Sequence, residues 1–342
     1  MFSFANDYSE GACPEILQAL IKTNFKQTPG YGEDQFCEKA RFLIRKQLKN
    51  NEADIHFVPG GTPANLLAIS LLKPYEAVIC VDTGHINTHE TGAVENTGHK
   101  ILTVPSHDGK INALKIEEIV AKHTDEHMVK PKMVFISNST ELGTIYHKKE
   151  LTEIYDTCKK LGLYLYMDGA RIANALVTPD NDLNLADISS LTDIFYIGGT
   201  KNGALLGEAF IIMNNELKTD FRYALKQKGM MLAKSRVIGI EFMTLFENGL
   251  YFNLAKNANV MAQTLRQMFI QLNIPLYVDS PTNQIFVIMS DKMLKRVKTK
   301  YAVTEWGRYD NEHMIVRIVC SWATKEENIK EFCTDLILFN KK

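Results

Sequence analysis

The chain has 342 residues, enough for two domains or for one large α/β domain with an appended part. Its hydrophobic fraction of 45% and charged fraction of 23% are typical of a globular protein and exclude a disordered or fibrous chain. The 39 Lys and Arg residues nearly balance the 40 Asp and Glu residues, so we expect no nucleic acid or membrane partner and a small molecule instead.

The six cysteines lie far apart in the sequence, without the short paired spacing of a zinc site or a disulfide framework. We therefore expect reduced thiols and no metal site. The N-terminal residues lack a basic start followed by an apolar run, and no stretch approaches the roughly 18 to 20 apolar residues of a membrane span. These features favour a cytoplasmic protein.

Helical and strand-like segments alternate through the first two thirds of the chain. Apolar residues recur at helical spacing after Pro14, over residues 34–49 and over residues 148–160. Short β-type runs lie at residues 55–58, 77–81, 100–104, 132–137, 163–167 and 193–197. This alternation predicts a doubly wound α/β domain.

The last third of the chain has a different pattern. Residues 239–273 predict one long helix or a broken pair of helices, and the runs at 284–289 and 314–319 predict strands before a terminal helix that begins at Lys325. We therefore predict a large α/β domain over residues 14–245. A smaller α+β domain would consist of residues 246–342 together with the N-terminal segment 1–13.

Polar residues follow three of the predicted strands directly, at the sheet edge where open parallel sheets bind their ligands. Asp168 and Arg171 follow one strand, and Thr200 and Lys201 follow the next. The glycine turn at residues 60–62 follows a third strand and precedes a helix, so its N–H groups are suited to a phosphate.

An amine, a carboxylate and an anion-binding turn are the parts that pyridoxal phosphate (PLP) requires. Lys201 can form a Schiff base, and Asp168 can keep the pyridine nitrogen protonated. Each signal is weak alone, because a strand-ending Asp often caps a helix and a loop lysine is usually solvated. Their order, with about thirty residues between carboxylate and lysine across one βαβ unit, makes the combined interpretation much stronger.

Over nearly its whole length the chain resembles the low-specificity threonine aldolases of the β-eliminating lyase group, within the aspartate-aminotransferase-like fold type I of PLP enzymes. The motifs, in the order and spacing of that family, are YGED at 31–34, GGTPAN at 60–65, GHINTHE at 84–90, DGARIANA at 168–175, GGTKNG at 198–203 and RIVCSWAT from Arg317. DGAR followed by TKNG is the specific part. The resemblance implies PLP as cofactor, and a large doubly wound mixed-sheet domain with a smaller C-terminal α+β domain.

The resemblance also implies roles for single residues. Lys201 would form the Schiff base, and Asp168 would pair with the pyridine nitrogen. His85 would stack on the cofactor ring and assist proton transfer, with His127 as a second active-site histidine. Arg317 would bind the substrate carboxylate, for which a planar guanidinium has the right shape. The implied cofactor-binding set further includes Gly60, Gly61, Thr62, Arg171 and Thr200, and the substrate-binding set includes Arg171, Asn6 and Tyr31.

The chain departs from the better-known members of that family at three places. Residues 6–8 replace a leading SDT motif, and SNSTELGT at residues 137–144 replaces a Glu-Asn-Thr-His run. The basic segment that reaches a neighbouring subunit's phosphate is replaced by residues 226–236. The candidate phosphate contacts there, among which the sequence does not choose, are Lys228, Lys234 and Arg236.

The resemblance implies a PLP-dependent lyase that cleaves the Cα–Cβ bond of L-threonine or L-allo-threonine into glycine and an aldehyde. The alternatives are a β-eliminating lyase or racemase that acts on another amino acid, and a non-catalytic PLP-fold binding protein. Intact Lys201 and Asp168 argue against the non-catalytic protein. The composite sites of the family imply a homo-oligomer, as a dimer of dimers, with the active site shared between subunits.

Overall fold

The computed structural model describes residues 2–340. Its helices are α1 (Pro14–Thr23), α2 (Gln35–Leu48), α3 (Gly61–Ile69), α4 (His85–Thr88), α5 (Ala113–Lys122), α6 (Lys148–Lys160), α7 (Ile172–Leu176), α8 (Leu185–Ser190), α9 (Phe221–Gln227), α10 (Arg236–Glu247), α11 (Leu250–Gln271), α12 (Asp291–Val297) and α13 (Glu326–Asn340). Its strands are β1 (Phe2–Ser3), β2 (Asp54–Val58), β3 (Glu76–Val81), β4 (Lys100–Val104), β5 (Lys130–Ser137), β6 (Tyr164–Asp168), β7 (Ile194–Gly198), β8 (Glu208–Ile212), β9 (Leu276–Val278), β10 (Gln284–Ser290), β11 (Tyr301–Ala302), β12 (Thr304–Arg308) and β13 (His313–Val319).

A seven-stranded sheet forms the centre of the molecule, in the order β2-β8-β7-β6-β5-β3-β4. The strands from β7 to β4 run parallel to one another, whereas β8 is antiparallel to both of its neighbours, β2 and β7. The carboxyl ends of the parallel strands therefore meet at one edge of the sheet. The sequence pattern missed β8, because its apolar run follows the lysine turn with no helix before it.

Both faces of this sheet are buried. In β7, Phe195 and Ile197 pack into the hydrophobic core on one face, while Ile194 and Tyr196 pack into the core on the other. The same alternation holds along β5 and β6. Each large apolar side chain buried in this way stabilises the fold by about 1.5–3 kcal/mol.

Helix α2 shows how local sequence sets one layer of the structure. The side chain of Asp34 accepts hydrogen bonds from the backbone N–H groups of Phe36 and Cys37, both at 3.0 Å, and so caps the start of the helix. The helix packs against α10 at Gly239, where an added Cβ would lie 2.7 Å from the backbone nitrogen of Cys37. Only glycine permits this approach of the two helices.

The predicted helical region over residues 239–273 is a broken pair. Helix α10 ends before Asn248, and α11 begins after Gly249, which has a left-handed φ of +69°. Glycine adopts that conformation without steric cost, so the chain can change direction there.

The C-terminal part has its own antiparallel sheet, in the order β12-β13-β10-β9. The N-terminal strand β1 pairs in parallel with β11 in a separate two-stranded sheet. A third hydrophobic core joins Phe4 to side chains of α11, β10, β13 and α13. The division into residues 14–245 and residues 246–342 with 1–13 stays a prediction, and Met1 and residues 341–342 lie outside the described part. Between residues 2 and 340, no helix combines the length and the apolar character needed to cross a membrane.

Candidate active site

A pocket with a volume of about 300 Å³ lies at the carboxyl edge of the central sheet. Strands β5, β6 and β7 end there at Ser137, Asp168 and Gly198, which brings the residues after each strand together. The predicted cofactor-binding residues that line it are Gly60, Gly61, Thr62, His85, Asp168, Arg171, Thr200 and Lys201.

Lys201 lies in the turn after β7, and a carboxylate from β8 holds that turn in shape. Glu208 faces Gly198 across the two strands and accepts hydrogen bonds from the Gly199 N–H at 2.6 Å and the Thr200 hydroxyl at 2.9 Å. Burial lowers the pKa of Lys201, and the positive charge of Arg171 lowers it further. Burial also raises the pKa of Glu208, to about 7. The lysine amine is therefore both held in place and easier to deprotonate.

Asp168 ends β6 and is only 4% exposed. Its Oδ1 accepts a hydrogen bond from the Tyr196 hydroxyl at 2.5 Å and one from the Ala170 N–H at 2.9 Å, and its Oδ2 accepts one from Asn65 at 3.1 Å. These donors fix a carboxylate at the floor of the pocket. Such a group can hold a protonated ring nitrogen.

The glycine turn at residues 60–62 begins helix α3 on the other side of the pocket. Gly60 has a φ of +146°, and an added Cβ on Gly61 would lie 3.0 Å from the Tyr196 hydroxyl. No side chain caps this helix N-terminus, so its first N–H groups can face an anion. Within the described residues, the only Lys and Arg side chains that line the pocket are Lys201 and Arg171.

His85 begins the short helix α4 and contacts two carboxylates. Its Nδ1 lies 2.8 Å from Oε1 of Glu90, whose side chain is fully buried. Its backbone N–H donates to Oε1 of Glu141 at 3.1 Å, and the Ser137 hydroxyl donates to that same oxygen at 2.7 Å. Burial raises the pKa of Glu141, as does the neighbouring charge of Asp168. His85 is therefore held at both its ring and its backbone.

Arg171 makes a two-bond ion pair with Asp7, through Nε at 2.6 Å and Nη2 at 3.0 Å. Asn283 donates a further hydrogen bond to Asp7 at 2.9 Å. Burial raises the pKa of Asp7, but the charges of Arg171 and Lys201 together reverse the effect, so that its pKa is lowered. The N-terminal segment thus fixes the arginine at the pocket wall.

Arg317 is a partly buried cation on β13, above the ring of Trp306 at 5.1 Å. Its Nη2 donates to the Ala5 carbonyl at 3.3 Å, but its buried Nε has no partner, and no carboxylate within residues 2–340 forms an ion pair with it. Burial lowers the pKa of Arg317 to about 10, with a contribution from the charge of Arg171. An unpaired, partly buried guanidinium is suited to a carboxylate ligand.

The structure does not bring every predicted residue to the pocket. His127 lies in an exposed loop before β5 starts at Lys130, whereas the pocket lies where β5 ends at Ser137, roughly 25 Å along an eight-residue strand. The described residues of one chain therefore do not bring His127 to the pocket, because it precedes the strand whose carboxyl end lies there.

Asn6, Tyr31 and Arg317 also lie outside the set of residues that line the pocket. The Asn6 side chain accepts hydrogen bonds from the Tyr8 N–H and the Ser9 hydroxyl and so closes a local turn. Tyr31 is 45% exposed and lies against Lys226, whose Nζ is 4.7 Å from the ring centre.

The three basic candidates in residues 226–236 differ in their surroundings. Lys228 and Lys234 are exposed. Arg236 is engaged within its own chain, where it donates to the carbonyl groups of Thr23 and Lys26. This contact makes Arg236 the weakest of the three candidates for a neighbouring phosphate.

Several residues at the site were missed by the sequence reasoning. Glu208, Glu141 and Tyr196 line the pocket but belong to no motif with an assigned role. Asn65 lies in the GGTPAN motif and Glu90 in the GHINTHE motif, and membership of these motifs is the sequence feature that could have indicated a role for them. Their contacts join segments distant in sequence, so only the tertiary structure reveals them.

The family model for beta-eliminating lyases matches residues 4–292. The chain belongs to the beta-eliminating lyase family. A low specificity L-threonine aldolase from Pseudomonas sp. is 36% identical to this family member, over 97% of this chain and 96% of its own. A solved threonine aldolase from Leishmania major is 45% identical, with a TM-score of 0.98, and the match covers 99% of this chain and 100% of that one.

The histidinol-phosphate aminotransferase from Clostridium acetobutylicum is only 13% identical but has a TM-score of 0.75 over 100% of both chains. At this identity the likeness concerns the fold. The predicted fold type I architecture is therefore confirmed for this beta-eliminating lyase family member, with its large mixed sheet and separate C-terminal antiparallel sheet.

Proposed function

We propose that the chain is a PLP-dependent aldehyde-lyase that cleaves the Cα–Cβ bond of L-threonine or L-allo-threonine to give glycine and acetaldehyde. The observation that carries this proposal is the meeting of Lys201, Asp168 and the turn at residues 60–62 in one pocket. The names of the two similar proteins, both threonine aldolases, support the choice of substrate.

The residues of the pocket fit PLP. Ser139 lines the pocket with a buried hydroxyl that has no partner within the described residues, and the neighbouring amide nitrogen of Asn138 is also unpaired. Buried polar atoms normally have partners, so these two are suited to a polar ligand. The turn at Gly60 and Gly61 leaves room for a phosphate close to the backbone. Lys201 would hold the cofactor at its aldehyde carbon, and Asp168 would hold the ring nitrogen.

Bound PLP supplies an electron sink beside the α-carbon of the amino acid. Arg317 binds the substrate carboxylate and thereby orients the Cα–Cβ bond, while Arg171, fixed by Asp7, bounds the site beside it. The sequence left the base for the β-hydroxyl proton open, as a group near His85, either His127 or a water held by the phosphate. Because His85 lines the pocket and His127 does not, His85 is the proposed acceptor of that proton.

The proposal is tested by incubation of the purified protein, loaded with PLP, with L-threonine and separately with L-allo-threonine. We expect equal amounts of glycine and acetaldehyde from at least one of them. Ammonia with a 2-oxo acid, or a racemised amino acid, would instead indicate one of the two alternative PLP reactions.

We further propose a homo-oligomer, as a dimer of dimers, in which a second copy completes the site. Leu17, Ile21 and Phe25 form an exposed apolar stripe on and just after α1, with exposures of 43%, 77% and 96%. The phosphate turn has few cations of its own chain near it, which leaves a place for Lys228 or Lys234 of a neighbouring copy. A cytoplasmic location is also proposed, and it is supported by the six free cysteines.

A further inference from the structure

A buried chain of hydrogen bonds connects His85 to Asp168 through two residues that have no assigned role. Oε1 of Glu90 lies 2.8 Å from Nδ1 of His85 and accepts a hydrogen bond from the Asn65 amide nitrogen at 2.7 Å. The same amide nitrogen donates to Oδ2 of Asp168 at 3.1 Å. One asparagine thus bridges the carboxylate beside the histidine and the carboxylate on the pocket floor.

The donor and the acceptor of each hydrogen bond in this network can be assigned by starting from Tyr166 at its far end. Tyr166 is fully buried, and burial together with the charge of Asp168 raises its pKa well above the ordinary value, so its hydroxyl keeps its proton. That hydroxyl donates to Oδ1 of Asn65 at 2.7 Å, which leaves the amide nitrogen of Asn65 to donate to both carboxylates. Oε1 of Glu90 is therefore an acceptor.

The same reasoning sets the tautomer of His85. A proton shared between an imidazole and a carboxylate rests on the imidazole, which is the stronger base. The proton therefore lies on Nδ1 and is donated to Glu90, so Nε2 carries the lone pair on the other side of the ring. The side chain of Glu90 is fully buried, and its Oε2 has no partner within the described residues, so His85 is its only partner that can become a cation.

We propose that Glu90 is a positioning residue that holds His85 with Nδ1 protonated and Nε2 open as the acceptor of the substrate's β-hydroxyl proton, and that Asn65 ties this pair to Asp168. This proposal rests on the proposed function. In the step, the substrate O–H bond breaks as an N–H bond forms at Nε2, and the oxygen electron pair becomes the second bond of the aldehyde carbonyl. The electron pair of the Cα–Cβ bond stays with the glycine carbon. The imidazolium formed is stabilised by the Glu90 carboxylate.

Other titratable groups also face His85 and are part of its environment. The ring of His89 lies 5.6 Å from the His85 ring, and Glu141 from the loop after β5 accepts the His85 backbone N–H. Asp168 acts through Asn65. None of these side chains is within hydrogen-bond distance of Nδ1 except Glu90, within residues 2–340, so a change at Glu90 acts on the ring most directly.

The first test is Glu90→Gln, which keeps the shape of the side chain and removes its charge. We expect kcat for threonine cleavage to fall about 10- to 100-fold with little change in KM. The acid limb of the plot of kcat against pH should move to lower pH, because the imidazolium of His85 loses the carboxylate that stabilises it. Glu90→Asp, which restores the charge, should return the acid limb toward its original position. Glu95→Gln, an exposed change on the same segment, is the matched control.

A purely structural role for Glu90 predicts different results. It would slow the exchange of the glycine α-proton with solvent, which involves no β-hydroxyl group, as much as it slows threonine cleavage. It would also leave the acid limb unmoved. Either result would overturn the proposal.

The second test does not depend on the reaction. Nitrogen NMR of protein labelled at its nine histidines, with His85→Asn to identify the signal, should show the His85 proton on Nδ1 in the PLP-loaded wild type. Glu90→Gln should weaken this preference. A proton on Nε2 would refute the inference, and this result stands whether or not the protein cleaves threonine. Absence of threonine cleavage with the Nδ1 tautomer intact would refute the proposed function and the base role of His85 instead.

Discussion

At the scale of single residues, burial at the pocket and near it lowers the pKa of two cationic side chains. Lys201 has a lowered pKa because it is removed from water beside Arg171. Arg317 has a lowered pKa for the same two reasons, and its Nε lacks a partner within the described residues. Both side chains therefore gain more from a ligand than a solvated side chain would.

The Lys201→Ala variant tests the cofactor anchor. We expect loss of the visible absorbance of the lysine-bound cofactor and a fall in kcat of more than about 1000-fold, because no other lysine among residues 2–340 lines the pocket. Absorbance spectra and a threonine cleavage assay measure the two effects. The control is Lys226→Ala at an exposed position. An unchanged spectrum in Lys201→Ala would exclude this lysine as the anchor.

The Arg317→Leu variant tests carboxylate binding. We expect the KM for threonine to rise about 10- to 100-fold, since a charge-assisted bond to a carboxylate contributes roughly 1.5–3 kcal/mol. Arg317→Lys should recover only part of this loss, because it lacks the planar fork. Steady-state kinetics measure both variants, with Arg308→Leu on the exposed part of β12 as control. A KM equal to that of the wild type would assign the carboxylate to another residue.

At the scale of elements, α10 contacts the loop after Lys201 through one buried carboxyl group, that of Glu241. Glu241 is fully buried, and its Oε1 accepts a hydrogen bond from the Leu205 N–H at 3.2 Å, while its Oε2 has no partner within residues 2–340. Burial raises the pKa of Glu241 to about 8. The helix is therefore joined to the loop after Lys201 by a carboxyl group that is protonated at neutral pH.

This raised pKa makes stability depend on pH. The folded protein keeps the Glu241 proton up to about pH 8, whereas the unfolded chain loses it near pH 4.5. The contribution of protonated Glu241 to the free energy of unfolding is thus fully present below pH 4.5. It falls by up to about 1.4 kcal/mol per pH unit as the pH rises from 4.5, and it is lost once the pH has passed through 8.

Glu241→Gln should remove this dependence. Thermal unfolding should give a variant close to the wild type near pH 5 and more stable than the wild type near pH 8, because a neutral amide carries no cost of ionisation. Glu247→Gln, exposed at the end of the same helix, should follow the wild type at both values. Parallel curves for Glu241→Gln and the wild type would contradict the raised pKa.

At the scale of the whole molecule, the proposed site combines both sheets and the N-terminal segment. Lys201 and Asp168 follow strands of the central sheet, the proposed carboxylate-binding Arg317 lies on the C-terminal sheet, and Asp7 of the first residues pairs with Arg171. The apolar stripe after Pro14 lies on the outer surface, where a second copy can cover it.

The Ile21→Asp variant tests this assembly. A charge in the centre of the stripe should lower the molecular mass measured by light scattering, and it should weaken PLP binding if a second copy completes the phosphate site. Leu338→Asp places the same charge on an exposed position of α13 and should change neither property. An unchanged mass for Ile21→Asp would show that the stripe is not the interface.

The sequence by itself determined the cofactor and predicted its lysine and its carboxylate, because these residues lie at or just after the ends of strands whose apolar runs are visible locally. Asp168 ends β6, and Lys201 lies three residues after β7 ends at Gly198. Two of the helices were found nearly to the residue for the same reason, since helical periodicity is a local property.

Only the tertiary structure decided how these groups are held. It separated His127 from the pocket, because a residue before a strand and a residue after it lie at opposite edges of the sheet. It also paired Arg171 with Asp7 and joined His85 to Asp168 through Glu90 and Asn65. Such contacts span up to 164 positions of the chain, so they depend on packing and leave no periodic signal in the sequence.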